Sequence, residues 1–181
     1  MKIIFLDIDG VLNSQLLFRK KRKRRKDEDK EDYHLSMIDE TNIRFLNLLI
    51  KETGAKVVIS STWRMGNTMP YLQSLLNKKG FKGEIIAFTP ILQSEGSLRG
   101  NEIYVWIQQN IKMLLGGTSN VGSDFKQYVI FDDDSDMLYW QRNNFIQVDA
   151  YCGLTPNQCY RAKFILCPEM TFGKAHNLDL K

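Results

Sequence analysis

KIIFLDIDG, residues 2–10, joins a run of apolar residues to a pair of acids. The four apolar residues 3–6 predict a strand that is buried on both faces. Asp7 and Asp9 follow on one side of the chain, because alternate residues of an extended segment share a face, and Gly10 permits a sharp turn after them. Acids at the end of a buried strand are unfavourable without partners, and two so close repel unless a cation or a shared proton relieves them. The pair therefore indicates a metal-dependent catalytic site.

The rest of the chain alternates strand and helix signals. Short apolar runs predict strands, and apolar residues spaced by three and four predict helices, with Asp39 and Pro70 as start signals and Gly54 and Gly80 as stop signals. The predicted strands are residues 3–6, 56–60, 84–88, 128–131 and 145–148, and the predicted helices are residues 39–54, 70–80, 102–115 and 155–164. This alternation favours an α/β fold with a doubly wound, mostly parallel, Rossmann-like sheet.

Length and composition limit the class of protein. The 181 residues predict a single domain over residues 1–181, long enough to bury a core. No segment has the pattern of a signal peptide and no apolar run approaches the ~20 residues of a membrane span, so we expect no membrane association. Three cysteines (Cys152, Cys159 and Cys167) are an odd number, which favours a reducing, cytoplasmic setting without a disulfide framework. Their spacing with His176 matches no familiar zinc site.

The net charge of +4 is concentrated in one place. Residues 19–26 are all basic and are followed by a cluster of acids, within a charged loop insertion predicted at about 14–35. Charge of one sign at this density is either solvated or neutralised by a polyanion. Three interpretations stay open: an exposed loop whose halves neutralise each other, a nuclear-localisation signal, and a nucleic-acid contact that uses Arg22 and Arg24.

Polar side chains follow three of the predicted strands. Asp7 and Asp9 follow the first strand, the hydroxyl residues 60–62 follow the second, and three consecutive aspartates at 132–134 follow a later one. Ligands of parallel α/β sheets bind beyond the carboxyl ends of the strands, near the topological switch point. The three groups therefore predict one site at that edge of the sheet.

These motifs resemble those of a haloacid dehalogenase (HAD) superfamily phosphatase, over nearly the whole chain. That family has an Asp-x-Asp-Gly motif, a hydroxyl residue that ends a strand, a basic residue before a helix, and acids after a later strand. They are matched by residues 7–10, by Ser60 with Ser61 as its neighbouring alternative, by Arg99, and by Asp132 and Asp133 with Asp136 nearby. The combination is similar to the HAD domains of RNA-repair proteins.

The resemblance implies a Mg²⁺-dependent phosphoric monoester hydrolase. Asp7 would attack the phosphoryl group and form an aspartyl-phosphate, and Asp9 would protonate the leaving oxygen and then activate water. The Mg²⁺ would be held by the Asp7 carboxylate, the main-chain carbonyl of Asp9 and an acid of the fourth motif, Asp132 or Asp133. Asp134 is the less favoured acid, since it can cap a following helix instead.

Two groups would bind the phosphoryl oxygens. Ser60 would donate a hydrogen bond, and Arg99 would offset charge in the position where the family usually has lysine. Each has an alternative: Ser60 and Ser61 can cap the turn after their strand, and Arg99 can be a surface cation. Other cations that could then serve the site are Lys56, Arg64 and Lys126.

Three aromatic or cationic residues have less certain roles. Arg64 is predicted either to contact the substrate or to stack its guanidinium on Trp63. Trp106 and Trp140 are predicted to pack in the core rather than to form a substrate platform.

The substrate class depends on what covers the site. The insertion is too short and too charged to bury a core of its own, which predicts minimal or no cap domain. The resemblance then implies an open site for a large substrate, such as a nucleic-acid 3′-phosphate end. A nucleotidase or other small-molecule phosphatase is the alternative within enzymes, and a non-catalytic nucleic-acid-binding module is the alternative of another class.

Overall fold

The computed structural model describes residues 1–19, 29–92, 98–117 and 125–169. These residues contain a sheet of five parallel strands in the order β3-β2-β1-β4-β5. The strands are β1 (Ile3–Leu6), β2 (Lys56–Ile59), β3 (Ile85–Phe88), β4 (Tyr128–Asp132) and β5 (Phe145–Gln147). The prediction of a doubly wound, parallel α/β fold is confirmed.

Six helices lie in the described part of the chain, and the four that the sequence predicts begin and end within about three residues of the predicted bounds. The six helices are α1 (Gln15–Arg19), α2 (Lys30–Ser36), α3 (Glu40–Thr53), α4 (Met69–Lys78), α5 (Arg99–Leu114) and α6 (Pro156–Leu166). Asp39 caps α3 by accepting from the Thr41 amide, and Gly54 ends that helix with a left-handed φ of 68°. Among the described helices, none is long and apolar enough to span a membrane.

The sheet is buried on both faces, as the uninterrupted apolar run of β1 predicts. On one face Ile4 and Leu6 pack in a core cluster with the apolar residues of α3, α4 and α6. On the other face Ile3 and Phe5 pack against α5, where the Phe5 ring meets Trp106 edge-on at 5.4 Å between centroids. Because both layers hold β1 in place, the residues that follow it are positioned by a rigid scaffold.

The charged insertion contains more structure than a loop. It includes α1 and α2, and Asp29 caps α2 by accepting from the Glu31 amide. α2 packs against α4, yet neither α1 nor α2 contributes a fully buried side chain. The insertion therefore adds two short helices without a core of their own. Residues 20–28, which include Arg22 and Arg24, lie outside the described part of the chain.

The two tryptophans predicted to lie in the core differ. Trp106 is buried as predicted, but the prediction for Trp140 is wrong, because its side chain is 61% exposed. Trp140 lies in a 3₁₀ turn, Tyr139–Gln141, in which Gln141 is the buried residue. The local chain direction therefore turns Trp140 outward.

Candidate active site

The residues that follow β1 and β4 meet at the topological switch point of the sheet. β2 and β3 lie on one side of β1, while β4 and β5 lie on the other, so the loops after β1 and β4 diverge and leave a crevice. The Asp7 amide donates to the Phe131 carbonyl at 3.0 Å, which places Asp7 beside Asp132. The site therefore forms at the edge that the sequence predicts.

Three acids converge in this crevice. Carboxylate oxygens of Asp7, Asp132 and Asp133 lie within 4.8 Å of one another. Asp7 and Asp132 are only 5% and 2% exposed, whereas Asp133 is half-buried. Gly10 allows this convergence for two reasons: its φ is +68°, and a Cβ there would collide with the Asp133 carboxylate. We call Asp7, Asp132 and Asp133 the acidic trio.

The acidic trio is electrostatically unfavourable without a cation. Burial raises the pKa of Asp7 to about 6, against a hydrogen bond from Ser61 and the charge of Arg99. Burial, and then repulsion from Asp7, raise the pKa of Asp132 to about 8. The pKa of Asp133 is raised by burial as well. Each shift disfavours the ionised form of its carboxyl group. The charge of Arg99 therefore does not offset that of the three carboxylates.

The acidic trio fits a hard divalent cation. The Asp132 Oδ2 atom is buried and has no hydrogen-bond partner among the described residues, although its other oxygen accepts from the Asp134 amide at 3.1 Å. A buried carboxylate oxygen without a hydrogen-bond partner, in a set of oxygen donors, is what Mg²⁺ takes as a ligand. Asp136, the further candidate of the fourth motif, is not one of the three converging acids: its Oδ2 accepts from the Arg99 amide at 2.8 Å, and its Oδ1 is buried with no hydrogen-bond partner among the described residues.

Arg99 lies at the site, in the first turn of α5. α5 begins three residues before the predicted start at Glu102, so Arg99 opens the helix instead of preceding it. Its Nε is 3.6 Å from Asp132 Oδ2, and its Nη1 donates to Glu102 at 3.2 Å. Of the alternatives, Lys56 is the first residue of β2 and Lys126 precedes β4, so both lie at the opposite edge of the sheet. Of these three cations Arg99 is therefore the one beside the acidic trio, and its contact with a phosphoryl group remains a prediction.

The two serines after β2 have different surroundings. Ser61 hydrogen-bonds Asp7, and its hydroxyl also accepts from the Trp63 amide at 3.3 Å. Ser60 is fully buried, and its hydroxyl has no hydrogen-bond partner within the described residues. The geometry thus brings Ser61, the alternative of the second motif, next to Asp7, while the catalytic role of Ser60 stays a prediction.

Two hydrogen bonds hold the carboxylate of Asp9, which is not one of the acidic trio. Asn13 Nδ2 donates to Asp9 Oδ1 at 2.8 Å, and the Trp63 indole Nε1 donates to Asp9 Oδ2 at 3.0 Å. Asn13 in turn accepts from the Gly10 amide at 2.7 Å, which links it to the turn. These two donors fix the Asp9 carboxylate, and its role as a proton carrier remains a prediction. Metal binding by its main-chain carbonyl remains a prediction.

Arg64 lies behind the site in a network of its own. Its guanidinium donates to Glu102 at 2.6 Å and to four backbone carbonyls, those of Ser60, Ser61, Thr89 and Pro90. These acceptors occupy every N–H of a side chain that is almost fully buried. Arg64 therefore braces the strand ends, and a direct substrate contact by Arg64 is disfavoured by this arrangement.

Three residues beside the motif acids join the site, although the sequence predicts no site role for them. Glu102 pairs with both Arg64 and Arg99, and Trp63 and Asn13 hold Asp9. Glu102 is 38 positions from Arg64, so spacing along the chain carries no sign of the contact. Asn13, four residues after Asp9, is the one that local sequence could have suggested.

Fold and site together define a domain of the HAD type. The chain belongs to the family described as the HAD domain in Swiss Army Knife RNA repair proteins, whose model matches residues 3–159. This range includes all five strands and the acidic trio, so the resemblance seen in the motifs is confirmed, and the family supports a phosphatase activity. Neither a curated protein nor a solved structure matches the chain significantly.

Proposed function

We propose that the protein is a Mg²⁺-dependent phosphomonoesterase that removes the 3′-phosphate from a polynucleotide end through a phosphorylated Asp7. The observation that carries the proposal is the acidic trio, in which buried Asp7 and Asp132 have raised pKa values beside Arg99. Strained acids of this kind are typical of catalytic sites, because a purely structural role would favour their removal. Asp7, Asp132 and Asp133 are the residues that would hold the ion.

The reaction follows from the roles of two acids. An Asp7 carboxylate oxygen attacks phosphorus, forming an O–P bond while the ester P–O bond breaks, and Asp9 gives its proton to the departing alcohol oxygen. Asp9 then takes a proton from water, whose oxygen attacks the phosphorus of the aspartyl-phosphate. This second displacement releases inorganic phosphate and restores Asp7. The hydrogen bonds from Trp63 and Asn13 keep Asp9 aimed throughout.

Charge on the phosphoryl group is balanced by the surrounding donors. Arg99 lies within 3.6 Å of Asp132 and presents its guanidinium to the same crevice, and the Ser61 hydroxyl lies next to Asp7. When bound, Mg²⁺ would lower the repulsion between the carboxylates and an anionic phosphate.

A polynucleotide substrate is supported by the surroundings of the crevice. Arg19, the first residue of the basic run 19–26, lies 5.1 Å above the Tyr151 ring and donates to its hydroxyl at 3.1 Å. Tyr151 follows β5, so the described end of this run is anchored at the same edge of the sheet as the acidic trio. The family description names RNA repair. Phosphate contacts by Arg22 and Arg24, and a cytoplasmic setting, stay predictions.

The first experiment tests the chemistry. We expect the protein to release phosphate from a 3′-phosphorylated oligonucleotide only when Mg²⁺ is present, and we expect Asp7→Asn to abolish that release. Asp39→Asn is the matched control, because asparagine caps α3 as well as aspartate does. Borohydride added during turnover should reduce the phosphorylated carboxylate, and peptide mass spectrometry should locate the change at Asp7. Turnover by Asp7→Asn at the rate of the control would exclude Asp7 as nucleophile.

The second experiment tests the substrate class. The efficiency for the 3′-phosphorylated oligonucleotide is compared with that for a nucleoside 3′-phosphate and for a 5′-phosphorylated oligonucleotide. We expect the first to be highest and to fall with salt, because phosphate contacts displace counterions. Preference for the mononucleotide would identify the small-molecule phosphatase instead. Oligonucleotide binding without turnover of any ester would identify the non-catalytic module.

A further inference from the structure

Three large aromatic side chains that do not pack in the core lie together beside α5. Tyr139 is 76% exposed, Trp140 is 61% exposed and Tyr104 is 42% exposed. The Tyr104 and Trp140 rings meet edge-on with centroids 6.0 Å apart, and the Arg142 guanidinium lies 4.0 Å above the Tyr139 ring. We call these four residues the aromatic patch. Such a concentration of exposed aromatic surface is typical of a binding site.

A hydrogen bond holds the turn that carries Trp140 against Gly100, the residue after Arg99. Gln141, in the same 3₁₀ turn, donates through Nε2 to the Gly100 carbonyl at 2.9 Å and accepts from the Leu138 amide at 2.8 Å. A Cβ at position 100 would lie 2.5 Å from the Leu138 nitrogen, so a glycine there permits this close approach. Gly100 follows Arg99 directly, and the turn is therefore held against the segment that carries the phosphoryl-binding cation.

The aromatic patch lies near the start of α5, within reach of a polymer bound at the acidic trio. Tyr104 lies five residues beyond Arg99 on α5, which is roughly 7.5 Å along the helix axis and about 140° around it. A chain whose terminal phosphate occupies the crevice would therefore pass around the first turns of α5 to bring a nearby base to the aromatic patch.

A groove continues from Trp140 toward the opposite edge of the sheet. It has a volume of about 760 Å³ and is lined by Tyr104 and Trp140 together with Gln108, Lys126 and Asn143. Amide side chains can pair with base edges, and a lysine can neutralise a phosphate. The groove thus combines an aromatic wall with the polar groups that a strand of nucleic acid requires.

We propose that the aromatic patch binds the single-stranded bases that lead to the terminal phosphate, by stacking them on Trp140 and Tyr139 beside the Arg142 guanidinium. The inference rests on the proposed function for the identity of the substrate, but it concerns a separate surface. Aromatic faces accept any base, so the surface contributes affinity without sequence preference. A duplex end keeps its bases stacked inside the helix and gains nothing from these rings.

Binding is measured on Asp7→Asn protein, so that no turnover intervenes. The probe is a 5′-fluorescein hexanucleotide with a 3′-phosphate, followed by anisotropy in Mg²⁺. We expect Trp140→Leu to weaken binding about tenfold, because one stacked base is lost, and Trp140→Phe to retain most of the affinity. Tyr160→Ala is the matched control, since Tyr160 is an exposed aromatic residue on α6 that contacts Phe164 instead of the patch.

Length dependence gives a second measurement. β4 has five residues and spans roughly 17 Å, so several nucleotides separate the acidic trio from Lys126. Affinity should therefore rise with length over the first few nucleotides and then level off, and Trp140→Leu should flatten that rise. A duplex with the same 3′-phosphate should bind Asp7→Asn protein equally with and without Trp140→Leu.

The outcomes separate this inference from the proposed function. If the hexanucleotide is hydrolysed by the wild-type protein but Trp140→Leu binds it as tightly as Tyr160→Ala does, the aromatic patch is not a nucleic-acid surface. If no ester is hydrolysed while Trp140→Leu still weakens binding tenfold, the protein is not the proposed phosphatase, but the aromatic patch does bind nucleic acid. If sedimentation shows a dimer that Trp140→Leu dissociates, with unchanged oligonucleotide affinity, the patch is a self-association face and the inference is overturned.

Discussion

The acidic trio and the arginine network behind it are two clusters of buried charge with opposite construction. In the arginine network Arg64 and Glu102 satisfy each other, and backbone carbonyls accept the remaining N–H groups of Arg64. In the acidic trio like charges face one another, and an oxygen of Asp132 has no hydrogen-bond partner among the described residues. One cluster is complete as the chain folds, and the other calls for a cation such as the proposed Mg²⁺. The contrast distinguishes buried charges that serve the scaffold from those that we propose for the chemistry.

Arg99 connects the two clusters. It pairs with Glu102 on one side and faces Asp132 on the other. Because Glu102 already holds Arg64, the same carboxylate orients both guanidiniums. The scaffold thereby sets the position of the cation that we propose for the chemistry. A substitution in one cluster should therefore affect the other through Arg99.

The largest expected effect comes from Asp132→Asn, which tests whether activity and stability oppose each other in the acidic trio. We expect kcat with Mg²⁺ to fall by roughly 10²- to 10³-fold, the scale of losing one preorganised electrostatic group. In EDTA at pH 8 the same variant should be more stable than the wild type by roughly 2 kcal/mol, because a buried carboxylate with a raised pKa is removed. Urea unfolding and phosphate release measure the two quantities. A loss of both activity and stability would show that the trio is structural.

Arg64→Met tests the other side of the comparison. Removal of this guanidinium leaves Glu102 buried with less compensation and deprives four carbonyls of a donor, so the free energy of unfolding should fall by about 3–5 kcal/mol. Lys56→Met is the matched control: Lys56 and Glu84 form an exposed ion pair, whose loss should change stability by about 0.5 kcal/mol or less. Urea unfolding of both variants gives the difference. Equal effects would contradict the interpretation of the arginine network as scaffold.

The sequence alone predicts the parts of the molecule that depend on local pattern. The strand ends, and with them Asp7 and Asp132, follow from short apolar runs that finish in polar residues, whereas Arg99 is predicted only through the family resemblance. Helices α1 and α2 were not predicted, because they are short and charged and form no core of their own. Their position depends on tertiary contacts, such as that between α2 and α4.

Contacts between distant positions account for the remaining differences. Trp63 reaches Asp9 across 54 positions, and no spacing rule reports such a contact. The prediction that Trp140 packs in the core fails in the same way, because the 3₁₀ turn leaves this side chain exposed. The turn instead buries Gln141, whose amide donates to the Gly100 carbonyl of α5. The hydrogen bond from Gln141 to the start of α5 thus explains why Gln141, and not Trp140, is the buried residue of the turn.

The pH dependence of stability without metal distinguishes the two clusters further. The pKa of Asp7 is about 6 and that of Asp132 about 8 in the folded protein, above their ordinary value of 3.8. The folded state therefore binds more protons than the unfolded state between pH 4 and 8, and its stability falls as pH rises through that window. We expect a decrease of several kcal/mol in EDTA, since each pH unit by which a pKa is raised contributes ~1.4 kcal/mol, and urea unfolding measures it. Mg²⁺ should restore stability most at pH 8, and Asp132→Asn should flatten the profile, whereas a profile that rises with pH would contradict the raised pKa values.

Trp63→Phe should give the smallest of these effects and shows how a neutral donor supports the charged site. Phenylalanine keeps an aromatic ring beside His34, which lies 4.9 Å from the Trp63 ring, but it removes the N–H that binds Asp9. Since Asn13 still holds the other oxygen, we expect kcat to fall only about tenfold, which corresponds to ~1.4 kcal/mol, with KM and unfolding free energy nearly unchanged. A substrate with a better leaving group needs less protonation by Asp9, so p-nitrophenyl phosphate should lose less rate than an alkyl phosphate. If both esters lose rate equally, Trp63 does not act through Asp9, and the hydrogen bond belongs with the scaffold rather than with the site.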